Sequence, residues 1–254
     1  MSHYFSSDPI IISGVGGSGT RIVAELIKQM GIFIGSDLNH ANDNMQIARS
    51  FPQFRDRIQN NILTTPSELQ IFISSTLDAF EKQMYQDFSQ QTLQTKGWGW
   101  KIPGNFFILD YLVEYFGQFK YIHTIRHGVD MAYSHNQNQL HNWGNFYGVD
   151  VNNLPVAKAS LQYWIRANIQ ILEKINQLFN KKNVLLLNFD HLCLYPEENI
   201  QILIDFLELK EVDAVKLAKL VKIPESLGRY KQQDLSIFDQ NELDAVKQLG
   251  FEIA

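Results

Sequence analysis

The feature that most constrains this chain is the passage Pro9-Ile10-Ile11-Ile12 followed by the loop Gly14-Val15-Gly16-Gly17-Ser18-Gly19-Thr20-Arg21. A short β-branched apolar run suits a buried strand, and the glycines just after it read as a tight loop. From Thr20 the apolar residues Ile22, Val23, Leu26, Ile27 and Met30 recur at helical spacing, and Gly31 fits as the stop. Strand, glycine loop and helix in succession gather several backbone N–H groups and the positive end of a helix dipole in one concavity, which suits phosphate. Ser18 and Thr20 add hydroxyl donors to it.

The same alternation continues along the chain. Ile32 to Ile34 reads as a second short strand, and 35–40 has loop composition. Residues from about 42 to 96 read as a mostly helical insertion capping the sheet, broken at Thr65-Pro66. After the cluster Gly97-Trp98-Gly99-Trp100, Phe106 to Phe116 has the pattern of an amphipathic helix. Tyr121 to Ile125 reads as a strand halted at Arg126-His127-Gly128, with a helix expected from about Asp130. Leu161 to Phe179 is expected to be a helix, Val184 to Leu187 a buried strand, and Pro196 to Leu209 a helix opened by proline and two glutamates. Strands alternating with helices predict an α/β fold, a central mostly parallel sheet flanked by helices. A length of 254 residues fits one large domain, taken as 1–254.

Bulk properties narrow the partners. A net charge of -5 lacks the dense basic surface that binds nucleic acid by displacing counterions, so any anion must be met locally. No 18-residue apolar run suggests a membrane span. One cysteine, Cys193, excludes an internal disulfide, and the start Met1-Ser2-His3-Tyr4 lacks the apolar core of a signal peptide, so the cytoplasm is the expected compartment. None of the histidines has metal-ligand spacing with Cys or acidic partners, so no metal is expected.

The loop by itself leaves several readings open. Gly14-x-Gly16-x-x-Gly19 satisfies a dinucleotide fingerprint, and Asp37 lies roughly where the ribose-binding acid would fall, so an NAD(P)-dependent oxidoreductase is one alternative. A kinase-type loop needs Lys after the last glycine, whereas Thr20-Arg21 stands here. A second motif bears on the choice. Arg126-His127-Gly128-x-Asp130-x-x-x-Ser134 ends a strand and enters a helix, so Arg126 and Ser134 can converge on one anion. A dinucleotide domain has no need of that pair.

With these two motifs the sequence resembles the PAPS-dependent sulfotransferase family, whose signatures are a Ser-Gly-Thr loop after the first strand and an arginine with a serine eight residues later. The resemblance extends, in order, to Trp98-Gly99-Trp100-Lys101-Ile102-Pro103, to Asn188-Phe189-Asp190-His191-Leu192 with Pro196, and to the basic loop Gly228-Arg229-Tyr230-Lys231. It implies a P-loop-like sulfotransferase architecture and transfer of a sulfuryl group from PAPS, with PAP as product and no metal, to a hydroxyl or amine of a small-molecule or glycan acceptor. It further implies that Gly16, Gly17, Ser18, Gly19, Thr20 and Arg21 hold the 5'-phosphosulfate, that Arg126 and Ser134 hold the 3'-phosphate, and that Arg229 covers the nucleotide. Many members carry a cation where Gly17 stands, which leaves Lys101 and Arg21 to meet the charge on the leaving phosphate, with Lys101 favoured because the resembling segment supplies a lysine to this site. For the general base the resemblance points to the loop after the first helix, which offers Asp37, His40 and Asp43; Asp37 is the leading choice. A PAP- or PAPS-binding protein without catalysis stays open beside the enzyme, since Gly17 removes one catalytic cation. Trp164 and Phe189 are candidates to stack on adenine, and Trp98 and Trp100 either line an acceptor pocket or anchor their loop.

Overall fold

The computed structural model describes residues 3–59, 65–91 and 95–253. Strands β1 (Ile10–Gly14), β2 (Ile32–Phe33), β3 (Gly97–Lys101), β4 (Lys120–Ile125) and β5 (Val184–Asn188) form one parallel sheet in the order β2-β3-β1-β4-β5. Around it lie α1 (Thr20–Gln29), α2 (Met45–Ala48), α3 (Phe51–Gln59), α4 (Pro66–Ser89), α5 (Leu109–Phe116) and α6 (Gly128–Ala132). They are followed by α7 (Asn138–Trp143), α8 (Val156–Leu178), α9 (Phe189–Leu194), α10 (Pro196–Phe206), α11 (Ala214–Ala218) and α12 (Gln240–Gln248). The expected parallel α/β sheet with helices on its faces is therefore the fold.

Strand pleating divides the core into two layers. Ile10 and Ile12 of β1 and Ile122 of β4 point to one face, where they meet Val23, Leu26 and Ile27 of α1 and Ile200, Leu203 and Ile204 of α10. Ile11 and Tyr121 point to the other, against Ile73, Leu77 and Phe80 of α4, Leu112 of α5 and Trp164 of α8. Burial of an isoleucine such as Ile11 or Ile12, both 0% exposed, contributes roughly 1.5–3 kcal/mol. The break expected at Thr65-Pro66 is the start of α4: Thr65 Oγ1 accepts from the Glu68 amide, Glu68 returns a bond to the Thr65 amide, and Pro66 opens the first turn.

Several elements differ from the sequence expectation. The glycine-tryptophan cluster is the interior strand β3, and Trp98 and Trp100 are core anchors. Trp98 stacks on Phe5 at 3.8 Å and its Nε1 donates to Ser7 O, while Trp100 Nε1 donates to Asn105 Oδ1. The helix expected over Phe106–Phe116 is α only from Leu109, because Pro103–Ile108 winds as a tighter 3-10 turn tied to β1 by Asn105 Nδ2 donating to Ile12 O at 2.9 Å. The helix after Arg126 lasts five residues, α6, since the chain turns away after Ser134, and α8 starts at Val156, five residues before Leu161.

His123 on β4 is fully buried, its Nε2 facing Asn168 Oδ1 at 3.3 Å, and burial pulls its pKa down from 6.5 to about 4. The unfolded chain binds this proton below about pH 6.5 and the folded chain does not until about 4, so stability is lost as pH falls through that window, by roughly 3 kcal/mol. Urea unfolding at pH 7 and pH 4.5 is expected to reveal this loss in the wild type and a flatter dependence in His123→Gln; equal slopes would contradict the assignment.

Candidate functional site

Parallel register brings the carboxyl ends of the three central strands to one edge. Ile12 lies opposite Lys101 of β3, and Gly14 lies opposite Thr124 of β4, so the glycine loop, Lys101 and Arg126 emerge side by side. In open parallel sheets this edge, where connections leave in opposite directions, is where ligands bind. A cleft of about 920 Å³ opens there, lined by Gly16, Gly17, Gly19, Thr20 and Arg21 of the loop and by Asp43, Lys101, Arg126 and Phe189.

The loop is held open by its backbone. Gly17 and Gly19 have φ of +96° and +89°, conformations that cost other residues roughly 1–2 kcal/mol. A side chain at 17 would meet little, with Met131 Cε at 3.6 Å, so it is the backbone rather than crowding that favours glycine where a cation is often found. At 19 space is also absent: a Cβ would fall 1.9 Å from Phe189 Cδ2. The amides of Gly17, Gly19, Thr20 and Arg21 find no acceptor among the described residues, so the cradle's donors are free. Ser18 turns its hydroxyl inward, buried and without a partner, rather than lining the cleft.

Arg126 forms the opposite wall. It is 9% exposed, and its hydrogen bonds go to uncharged oxygens: Ser226 O at 2.9 Å, Ser226 Oγ at 2.8 Å and Gly17 O at 3.5 Å, with Nε buried and unpartnered. The guanidinium also lies 5.1 Å from the Phe189 ring centre. Asp130 and Asp190 stand nearby, but their carboxylates accept backbone amides, from Gly228 and Tyr230 and from His127. Burial lowers the Arg126 pKa, opposed by those two carboxylates. Ser134 joins Arg126 in a smaller pocket with Gly16, Gly17 and Trp164. Arg229 sits outside both cavities, with Nη1 donating to Tyr133 O and Nε to Ser226 O, and so buttresses the Arg126 partner. Trp164 is 1% exposed and packs on Gly128 and Phe251.

Lys101 is 2% exposed. Its Nζ donates to Ala41 O at 3.1 Å and to Asp43 Oδ1 at 2.5 Å. Burial lowers its pKa, Asp43 partly restores it and Arg21 adds to the lowering. An ammonium has three protons, so one remains for the cleft. The loop from 37 to 44 is built to hold Asp43 there: Asn39 Oδ1 accepts from the Ala41 and Asp43 amides, Asn39 Nδ2 donates to Asp43 Oδ2, and the Asn44 amide donates to Lys101 O. Asp37, the leading base from the sequence, does not line the cleft; its carboxylate pairs with Arg49 Nη2 at 2.8 Å on the exposed side of the loop. His40 lines the cleft and is exposed. The topology also speaks against the dinucleotide alternative. The ribose acid of such domains follows the strand beside β1, but β3 takes that place and Asp37 follows the edge strand β2. Asn39 and Gln139, which also line cavities here, carry no sequence signal that would have singled them out. Among the described residues no group of three or more His, Cys, Asp or Glu side chains is gathered for a metal ion, and no helix is long and apolar enough to cross a membrane.

Gly19→Ala, which puts a methyl group into the Phe189 ring, is expected to cost about 1–3 kcal/mol, read as a lowered melting temperature. Adding Phe189→Ala is expected to make a second loss smaller than the sum of the two single changes; strict additivity would contradict the contact.

Comparison with known proteins accords with this geometry. A family model described as the sulfotransferase family matches residues 9–213. Among solved structures, the sulfotransferase domain of the Synechococcus PCC 7002 olefin synthase superposes with a TM-score of 0.57 at 14% identity, covering all of both chains. The sulfotransferase domain from the curacin biosynthetic pathway gives 0.59 at 16%, covering 98% of this chain and 99% of that one. A sulfotransferase from Alicyclobacillus acidocaldarius gives 0.56 at 12%, covering 96% of each. At these identities the likeness is one of fold. No curated protein matches the sequence.

Proposed function

We propose that this chain, which belongs to the sulfotransferase family, takes PAPS as donor and transfers its sulfuryl group to a hydroxyl or amine of an acceptor. The observation that carries the proposal is Arg126: a cation 9% exposed, bonded only to neutral oxygens and lining one cleft with the free amides of the glycine loop. Burial makes that cation costly, the nearby Asp130 and Asp190 carboxylates bond backbone amides rather than the guanidinium, and a phosphate would supply opposing charge together with directional hydrogen bonds. In this reading the amides of Gly17, Gly19, Thr20 and Arg21 hold the 5' end of the nucleotide, and Arg126 with Ser134 holds the 3'-phosphate. Lys101 turns its remaining proton on the leaving phosphate oxygen, the task that Gly17 leaves unfilled.

In the transfer the acceptor oxygen bonds to sulfur as the bond from sulfur to the phosphate oxygen breaks, and the acceptor's proton passes to a base. Asp43 is better placed than Asp37 for that role, because it lines the cleft beside Lys101 whereas Asp37 is engaged outside it. The Lys101 ammonium, paired with the Asp43 carboxylate, fixes its position beside the cleft.

Thermal-shift measurements with PAP, AMP and NAD test the donor. PAP is expected to stabilise most, by about 2.7 kcal/mol at a concentration of 100 times its Kd, and Arg126→Ala is expected to reduce PAP to the level of AMP. A response to NAD without one to PAP would refute the proposal, and an unchanged preference in Arg126→Ala would refute the role of Arg126. Asp43→Asn is expected to lower kcat by roughly 10²- to 10⁴-fold while preserving the PAP shift. Asp37→Asn is expected to leave kcat close to wild type, and the reverse ranking of the two variants would reassign the base.

A further inference from the structure

A second cleft of about 370 Å³ adjoins the first, a volume in the range of roughly 300–1,000 Å³ typical of small-molecule sites. The two share Asp43, Pro103 and Gln139. Gln139 lies directly over the glycine loop, where a Cβ on Gly16 would fall 2.4 Å from its Cγ, and its Oε1 is buried without a partner. Asp43 and Gln139 therefore stand on the boundary between the two spaces, and a molecule in the second cleft reaches the first past both of them.

The walls of this cleft are chiefly apolar, from Met45, Phe51, Pro52 and Trp143, the last stacked on Phe107 at 3.5 Å. Asn39, Gln139 and Asn142 add a few polar groups, too few for the many hydroxyls of a sugar, so the walls favour an apolar body. Arg55 of α3 is the one cation among the lining residues. Its Nε donates to the neighbouring Asp56 Oδ1 at 3.1 Å, and its two terminal amino groups have no partner among the described residues. The pairing with Asp56 is exposed, hence weak, which leaves the planar face of donors open to a carboxylate or similar anion.

We infer that this second cleft is the acceptor subsite and that it takes an alcohol whose apolar body ends in an anionic group held by Arg55, with the hydroxyl lying at Asp43 and Gln139. The inference rests on the sulfuryl-transfer reading above. Arg55 is thus a specificity-determining residue, remote from the reacting atoms.

Calorimetric titration of PAP-saturated protein with 3-(4-hydroxyphenyl)propanoate, with 4-propylphenol and with methyl glucoside tests it. The first two share a hydroxyl and an apolar body and differ in the carboxylate. The propanoate is expected to bind at least about tenfold tighter than the propylphenol, with no measurable binding of the glucoside. Arg55→Ala should remove the difference and Arg55→Lys should retain part of it, with PAP affinity unchanged in both. Equal binding of the matched pair by the wild type, a preference that survives Arg55→Ala, or tighter binding of the glucoside would each overturn the inference. Titrating PAP itself, and repeating the acceptor titrations without it, separates the two failures: no PAP binding with the preference intact refutes the donor, and PAP binding without the preference refutes the acceptor subsite.

Discussion

Parallel pairing of β3, β1 and β4 is the constraint on which the site depends. Because Ile12 sits opposite Lys101 and Gly14 opposite Thr124, three chain segments leave the sheet at one edge within a few residues of register. Hydrophobic burial on both faces fixes that register, since a slip of one residue would turn Ile11 toward α1 and Ile10 and Ile12 toward Trp98 and Trp100. The cost of the arrangement is two cations at the end of a low-dielectric sheet. One, Lys101, is compensated by Asp43; the other, Arg126, has only neutral oxygens as hydrogen-bond partners. That asymmetry gives the proposed site its preference for an anion beside Arg126 and for a fixed proton donor and acceptor beside Lys101.

The loop and the lysine divide the electrostatic work in a way that backbone conformation explains. With φ of +96° at Gly17, a side chain there would carry strain, so the loop offers amides instead of a cation. The proposed substitute is Lys101, whose burial weakens its hold on a proton and whose two hydrogen bonds hold its orientation. A cation so fixed loses little freedom on meeting its ligand, which is the condition for electrostatic preorganisation.

The parts of this site that were legible in the sequence are those made by contiguous residues. β1, the glycine loop and α1 follow from a β-branched run, closely spaced glycines and a helical period, and Arg126 follows from its place at the end of a strand pattern. β3 was not legible as a strand, because Gly97 and Gly99 weaken strand propensity and only the pairing with β1 and β2 makes the segment extended. The choice between Asp37 and Asp43 was equally hidden. Both lie in one polar loop, and what separates them is the bond from the Asn44 amide to Lys101 O, a contact across 57 positions that composition does not encode. Ser18 illustrates the reverse case: the motif was readable, while the inward turn of its hydroxyl depends on the conformation of the loop around it.

A crystal structure with PAP bound decides whether the cleft is the donor site, because the two phosphates of that molecule report separately on the two walls of the cleft. The 5'-phosphate is expected on the amides of Gly17, Gly19, Thr20 and Arg21 and the 3'-phosphate within hydrogen-bonding distance of Arg126 Nε, the buried donor that lacks a partner. A nucleotide seated elsewhere, or a 3'-phosphate left in solvent with Arg126 still bonded only to Ser226 and Gly17, would contradict it.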